Sequence, residues 1–227
     1  MKNDYTAFEE VLGYHFKDRT HLDTAFTHKS YANEHGGDEV SYERYEFLGD
    51  AILQFVASKE LFLKYPEKSE GELTKLRASL VCEYTLSQIT RDYGFGEYLY
   101  LSHGEELTGG KNRTSILCDL FESVLGAIYL DGGIEEAEKY IDKFLFTDIE
   151  HRSTFYDAKS ILQEYAQSKG SKVEYILVSA TGPEHNKLYE YVAAIDGKQY
   201  EVGVGHTKKM AEQVAAHKTI LTLKNKD

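Results

Sequence analysis

The chain has 227 residues, 41% of them hydrophobic, with two cysteines and a formal net charge of −12, an ordinary composition for a globular protein of one large or two modest domains. No stretch approaches the roughly 18 apolar residues that a membrane-spanning helix needs, and the start from Met1 to Glu10 lacks the apolar run of a signal peptide. A cytoplasmic location with no membrane partner is therefore expected. Cys82 and Cys118 are isolated, so a zinc site is disfavoured and both are expected to be small buried hydrophobes without a catalytic role.

From Tyr5 to about Glu150 apolar residues recur at three- and four-residue spacing, broken near Gly36-Gly37, Pro66, Gly94, Gly109-Gly110 and Gly132-Gly133, which predicts an all-α domain over 1–150. Within it, Glu43-Arg44-Tyr45-Glu46-Phe47-Leu48-Gly49-Asp50 places three carboxylates within an arc of about 60° on one helix face. Phe47, Leu48, Ala51, Ile52, Phe55 and Val56 form an apolar stripe beside them, so that helix is expected to pack while its acidic edge faces a cleft. Carboxylates at i, i+3 and i+7 repel one another unless a cation or solvent screens them. Oxygen-only ligands suit magnesium or manganese better than zinc.

Farther along, Glu70 or Glu72 in Ser69-Glu70-Gly71-Glu72 offers a further ligand at a helix start, and the pattern alone does not choose between them. Asp119 and Glu122 then stand at i, i+3 inside the otherwise apolar segment Ile116–Leu130. Charges in such a stretch are seldom buried unless paired or bound to metal, so the two acidic helices look like halves of one carboxylate cluster.

The interval 151–156 has no periodicity and is expected to be a short linker. Over 157–225 the pattern changes to a helix at Ala158–Lys169, alternation at Val173–Ser179, Leu188–Ile195 and Gln199–Val204, and a final helix from Thr207 with Ala211, Val214, Ala215 and Leu221 inward. Asp196-Gly197 between the last two runs is a hairpin signal. The order is α-β-β-β-α, a small α+β domain whose sheet needs one helical layer. Lys208 and Lys209 at a helix N-terminus oppose the helix dipole and make sense with phosphate anions nearby. Residues 1–155 hold 16 Lys and Arg against 29 Asp and Glu, a net of −13, whereas residues 156–225 hold nine Lys against eight acids, a net of +1. Any grip on a polyanion must come largely from the second half.

In Phe26-Thr27-His28-Lys29-Ser30-Tyr31-Ala32-Asn33-Glu34, the Glu43–Leu53 helix, Glu70-Gly71 and Asp119-x-x-Glu122, in this order and spacing, the chain resembles bacterial ribonuclease III. Leu162-Gln163-Glu164, Gly182-Pro183-Glu184-His185 and Lys208-Lys209-x-Ala211-Glu212 resemble the double-stranded RNA-binding domain. The resemblance implies six active-site carboxylates at Glu43, Glu46, Asp50, Glu70, Asp119 and Glu122, and prefers Glu70 over Glu72. Its metal ligands would be Glu46, Asp50, Asp119 and Glu122, with Asp50 and Glu122 catalytic and Glu43 and Glu70 supporting. It further implies RNA contacts at Ser160, Gln163, Glu164, His185, Lys208 and Lys209, and a homodimer in which Phe47 enters a pocket of the partner. His206 stands where the family commonly has another lysine, and His28 and Ser30 are left outside the catalytic set.

The implied activity is Mg2+-dependent cleavage of double-stranded RNA, with Mn2+ as a substitute, to 5′-phosphate and 3′-hydroxyl ends with short 3′ overhangs. Two rivals are a non-cutting RNA-binding protein of the same fold and a small-substrate phosphohydrolase. The first should have lost acidic ligands and the second has no use for a duplex-binding domain.

Overall fold

The computed structural model describes residues 4–36, 40–149, 155, 157–182 and 187–224, and its chain divides into two units, Met1–Ile149 and Glu150–Asp227. The first is helical: α1 (Thr6–Leu12), α2 (Thr20–Ala25), α3 (Lys29–Glu34), α4 (Glu43–Lys64), α5 (Glu70–Leu80), α6 (Glu83–Asp92), α7 (His103–Leu107), α8 (Thr114–Gly132) and α9 (Ile134–Leu145). The breaks fall where the punctuating residues predict. Gly94 and Gly133, for example, adopt φ of 69° and 85°, a region in which glycine carries no Cβ penalty.

Helix α8 is the axis of this unit. Ile116, Leu117, Leu120, Phe121, Val124, Leu125 and Ile128 are all buried along it, against Leu53, Val56, Ala57 and Leu61 of α4 and Tyr140, Ile141 and Phe144 of α9. The approach of α4 to α8 depends on two glycines. A Cβ on Gly49 would lie 1.8 Å from the Glu122 carbonyl oxygen, and one on Gly126 would lie 2.3 Å from that of Tyr45. Mid-helix glycine costs roughly 1 kcal/mol relative to alanine, and here that cost allows backbone-to-backbone contact beside the acidic residues.

The apolar stripe of α4 behaves differently from the expectation. Ile52 and Val56 are buried, but Phe47 is 79% exposed and Phe55 60%, and Phe62 and Leu63 farther along are exposed as well. The helix is apolar around more than its core-facing side, and the single chain covers only part of that surface. Both cysteines are half-buried rather than buried.

The second unit comprises α10 (Ala158–Ser168), an antiparallel sheet in the order β1 (Val173–Thr181), β2 (Leu188–Ile195), β3 (Lys198–Gly205), and α11 (Lys208–Lys224). Asp196 and Gly197 form the β2–β3 turn with φ of 49° and 80°, the positive-φ pair of a tight two-residue hairpin. Gly203 and Gly205 let the sheet approach α11, since a Cβ on Gly203 would lie 2.1 Å from the Ala211 carbonyl oxygen. Thr207 precedes α11, its hydroxyl accepting from the Met210 amide at 3.1 Å. Ile220, not Leu221, is buried on its inner face. Phe155, expected in the linker, is buried, stacks edge-on to His217 and has its carbonyl bonded by Gln213 at 2.6 Å. The rest of the expected linker, 151–154 and 156, lies outside the described residues, as does His185.

Candidate metal centre

Helices α4 and α8 bring Glu46, Asp50, Asp119 and Glu122 together electrostatically. Glu122 is raised to about 8, first by burial and then by the charges of Asp50, Asp119 and Glu46. Glu46 is raised to about 7 by burial, then by Asp119 and Glu43, and burial also lifts Asp119. Each is half-buried, whereas Asp50 is exposed and accepts from Gln54 Nε2 at 3.2 Å. Carboxylates that resist ionisation because they are buried and lie near one another's charges are what a divalent cation relieves.

One ligand atom each from Cys118, Asp119 and Glu122 lies within 4.8 Å of the others, the group among the described residues with metal-binding spacing. The carboxylates are its useful members. Burial holds the Cys118 thiol well above its ordinary range, and a neutral thiol is a poor ligand for a hard cation.

Glu43 bonds Lys29 Nζ at 3.2 Å and lines a cavity of about 340 Å3 with Glu46, Asp119, Tyr42, Lys29 and Arg113. Glu70 is not brought to this cleft within the chain. It accepts from Thr74 at 3.0 Å and faces a groove lined by Phe55, Phe62 and Arg77. Glu72, the alternative to it, is used in a capping box, its carboxylate accepting from the Ser69 amide at 2.9 Å. His28 is also occupied structurally: its ring accepts from the Ser30 amide at 3.2 Å and caps α3.

Three features of the cleft escaped the sequence. Tyr42 is buried and its hydroxyl donates to Asp119 Oδ2 at 3.1 Å. Lys29 and Arg113 put cationic groups at the cavity. Gly49 and Gly126 permit the crossing, and a glycine inside each apolar helical pattern was the available signal. In the second unit, Ser160 and Glu164 are exposed on α10 with Gln163 half-buried, and Lys208 and Lys209 are exposed at the start of α11. Lys159 of α10 pairs with Glu212 of α11, which ties these two helices together.

Residues 18–149 match the Ribonuclease-III-like family, and residues 158–223 match the Double-stranded RNA binding motif. Ribonuclease 3 of Streptococcus uberis is 42% identical over 227 residues, covering 98% of this chain and 99% of that protein. Ribonuclease 3 of Anoxybacillus flavithermus is 44% identical over 224 residues, covering 97% and 94%. The nuclease domain of ribonuclease III from Campylobacter jejuni is 39% identical with a TM-score of 0.60, covering 66% of this chain and 98% of that one. A second structure of that domain, described as flexible in a region involved in dimer formation, gives 0.57 at 39% identity over 62% and 98%.

Proposed function

The chain belongs to the ribonuclease III family and is an endonuclease of that type; from that premise we propose that it hydrolyses double-stranded RNA at the α4–α8 cleft with Mg2+, for which Mn2+ substitutes. The carrying observation is the shared elevation of Glu46 and Glu122 in a cleft that also holds Asp50 and Asp119. The donor set fits the ion, being all oxygen once Cys118 is set aside. Glu46, Asp50, Asp119 and Glu122 would hold it, with Asp50 and Glu122 nearest the chemistry and Glu43 supporting. A supporting role for Glu70 rests on the resemblance alone. When bound, the metal supplies an activated water and charge stabilisation at the scissile phosphate. The products are 5′-phosphate and 3′-hydroxyl ends with short 3′ overhangs, in RNA processing and decay.

Within this reading, 1–150 is the catalytic domain, 151–156 the linker and 157–225 the duplex-binding domain. Ser160, Gln163, Glu164 and His185 contact the minor groove, where 2′-hydroxyls distinguish RNA from DNA. Lys208 and Lys209 contact phosphates. The exposed Phe47 supports a homodimer with one centre for each strand, since a large aromatic at 79% exposure is an unusual surface residue unless a partner covers it. No helix among the described residues is long and apolar enough to cross a membrane, and a cytoplasmic site of action is part of the proposal. The test is a long RNA duplex and its separate strands incubated with and without Mg2+, beside Glu122→Gln. Cutting of the duplex alone, only with metal and lost in the variant, is the result expected. Metal-independent cutting or full activity of Glu122→Gln overturns the site.

A further inference from the structure

Tyr42 precedes α4, and its side chain does not cap that helix. It is instead fixed from three directions. Its amide donates to the Thr27 carbonyl at 2.8 Å, and its own carbonyl accepts from the amides of Tyr45 and Glu46 at 2.8 and 2.9 Å. Its ring lies 5.5 Å from that of His28, and the residue is 2% exposed. From that anchored position the hydroxyl reaches across to α8 and donates to Asp119 Oδ2 at 3.1 Å.

A phenol is both donor and acceptor, whereas an ionised carboxylate only accepts, so the direction of this bond is fixed. Occupying Oδ2 limits rotation of the Asp119 carboxylate and leaves Oδ1 as its free oxygen. Partners that orient a ligand in this way are worth 10–100-fold in metal affinity at other sites. Hence we propose that Tyr42 is a positioning residue of the metal centre, holding the Asp119 carboxylate in its ligating orientation by a hydrogen bond from the start of α4. The inference rests on the ligand role given to Asp119 above.

The perturbation is Tyr42→Phe, which removes one oxygen and keeps the ring against His28. Mn2+ binding to the full chain is measured calorimetrically, with Asp119→Ala in parallel, and the Mg2+ dependence of duplex cleavage is measured at saturating RNA. Affinity for Mn2+ should fall by about tenfold or more, the half-saturating Mg2+ should rise to match, and the maximal rate should recover at high Mg2+ with KM for RNA unchanged. Should the variant be less stable, the rise in melting temperature produced by Mn2+ still reports affinity for its folded state. Wild-type affinity in Tyr42→Phe, with binding lost in Asp119→Ala, overturns the role of Tyr42 and leaves the metal centre standing. Unchanged binding in Asp119→Ala removes the ligand role itself and the positioning role with it.

Discussion

Replacing Glu122 with glutamine should stabilise the metal-free protein while destroying its metal response. Glu122 sits at about 8 rather than its ordinary 4.5, through burial and then the charges of Asp50, Asp119 and Glu46. A carboxyl raised on folding holds its proton more tightly in the folded state, so its ionisation works against the fold. That penalty is absent below about pH 4.5, grows as pH rises toward 8, and is complete above it. At pH 7.5 three pH units of displacement correspond to a ceiling of roughly 4 kcal/mol. Solvent reaching the half-buried side chain reduces this to about 2 kcal/mol, equivalent to about 4–8 °C of melting temperature in a chain of this size. Glutamine has no charge to suppress. In EDTA at pH 7.5, Glu122→Gln should therefore melt higher than the wild type by about that margin, and the difference should shrink nearly to zero by pH 5. Saturating Mg2+ should raise the wild type and leave the variant unmoved. Far-ultraviolet circular dichroism melts from pH 5 to 8 provide the measurement. A variant less stable at pH 7.5 without metal, or an advantage that persists on acidification, would refute the claim that these acids strain the empty cleft.

The other expectations concern assembly and grip. Phe47→Ala should raise the monomer fraction in analytical ultracentrifugation, by an amount corresponding to at least about 2 kcal/mol if the ring is a central anchor; a dimer of unchanged affinity would make Phe47 an isolated surface residue. Lys208→Ala with Lys209→Ala should flatten the dependence of log binding on log salt by about 1.5. Single-turnover cleavage by that double variant at full occupancy and low salt should persist, and its loss would show that the lysines serve the chemistry as well as binding.

Much of the fold was legible because its signals are local. The change from three-to-four spacing to alternation separates the two units, and Asp196-Gly197 marks a hairpin whose positive φ values the structure displays. The acidic helices were also readable, since Asp119 and Glu122 interrupt an apolar run that otherwise fills the core. Contacts between distant segments were less accessible. Nothing near Tyr42 announces that its hydroxyl meets Asp119, 77 positions away. On α4, periodicity identifies apolar positions but not which neighbour covers them. Phe47 and Phe55 carry the same pattern as the buried Ile52 and Val56. The helical pattern alone did not separate Glu70 from Glu72, the resemblance preferred Glu70, and the capping box shows Glu72 serving the start of α5.

Glu46, Asp50, Asp119 and Glu122 are four of the 29 acids in residues 1–155, and their shared cleft sets them apart from the rest. Between pH 5 and 7 Glu46 and Glu122 hold protons that a metal must displace, because burial and then the charges of neighbouring acids raise both. A site of this kind holds a divalent ion more weakly as pH falls, each bound ion having to displace protons. Without metal it also repels a phosphodiester backbone, which Lys29 and Arg113 at the cavity offset only in part because each is paired with an acid, Glu43 and Glu105 respectively. Those pairings leave little free positive charge beside the cluster. Long-range attraction to the duplex must then come from elsewhere in the chain, and the exposed Lys208 and Lys209, carried by a unit whose charges nearly balance, are placed where a helix N-terminus adds to their effect. The net charge of −12 is thus compatible with a nucleic-acid substrate, because a binding face depends on local charge: a cation neutralises the acids of the cleft, and residues 156–225, with Lys208 and Lys209 exposed, carry no net negative charge.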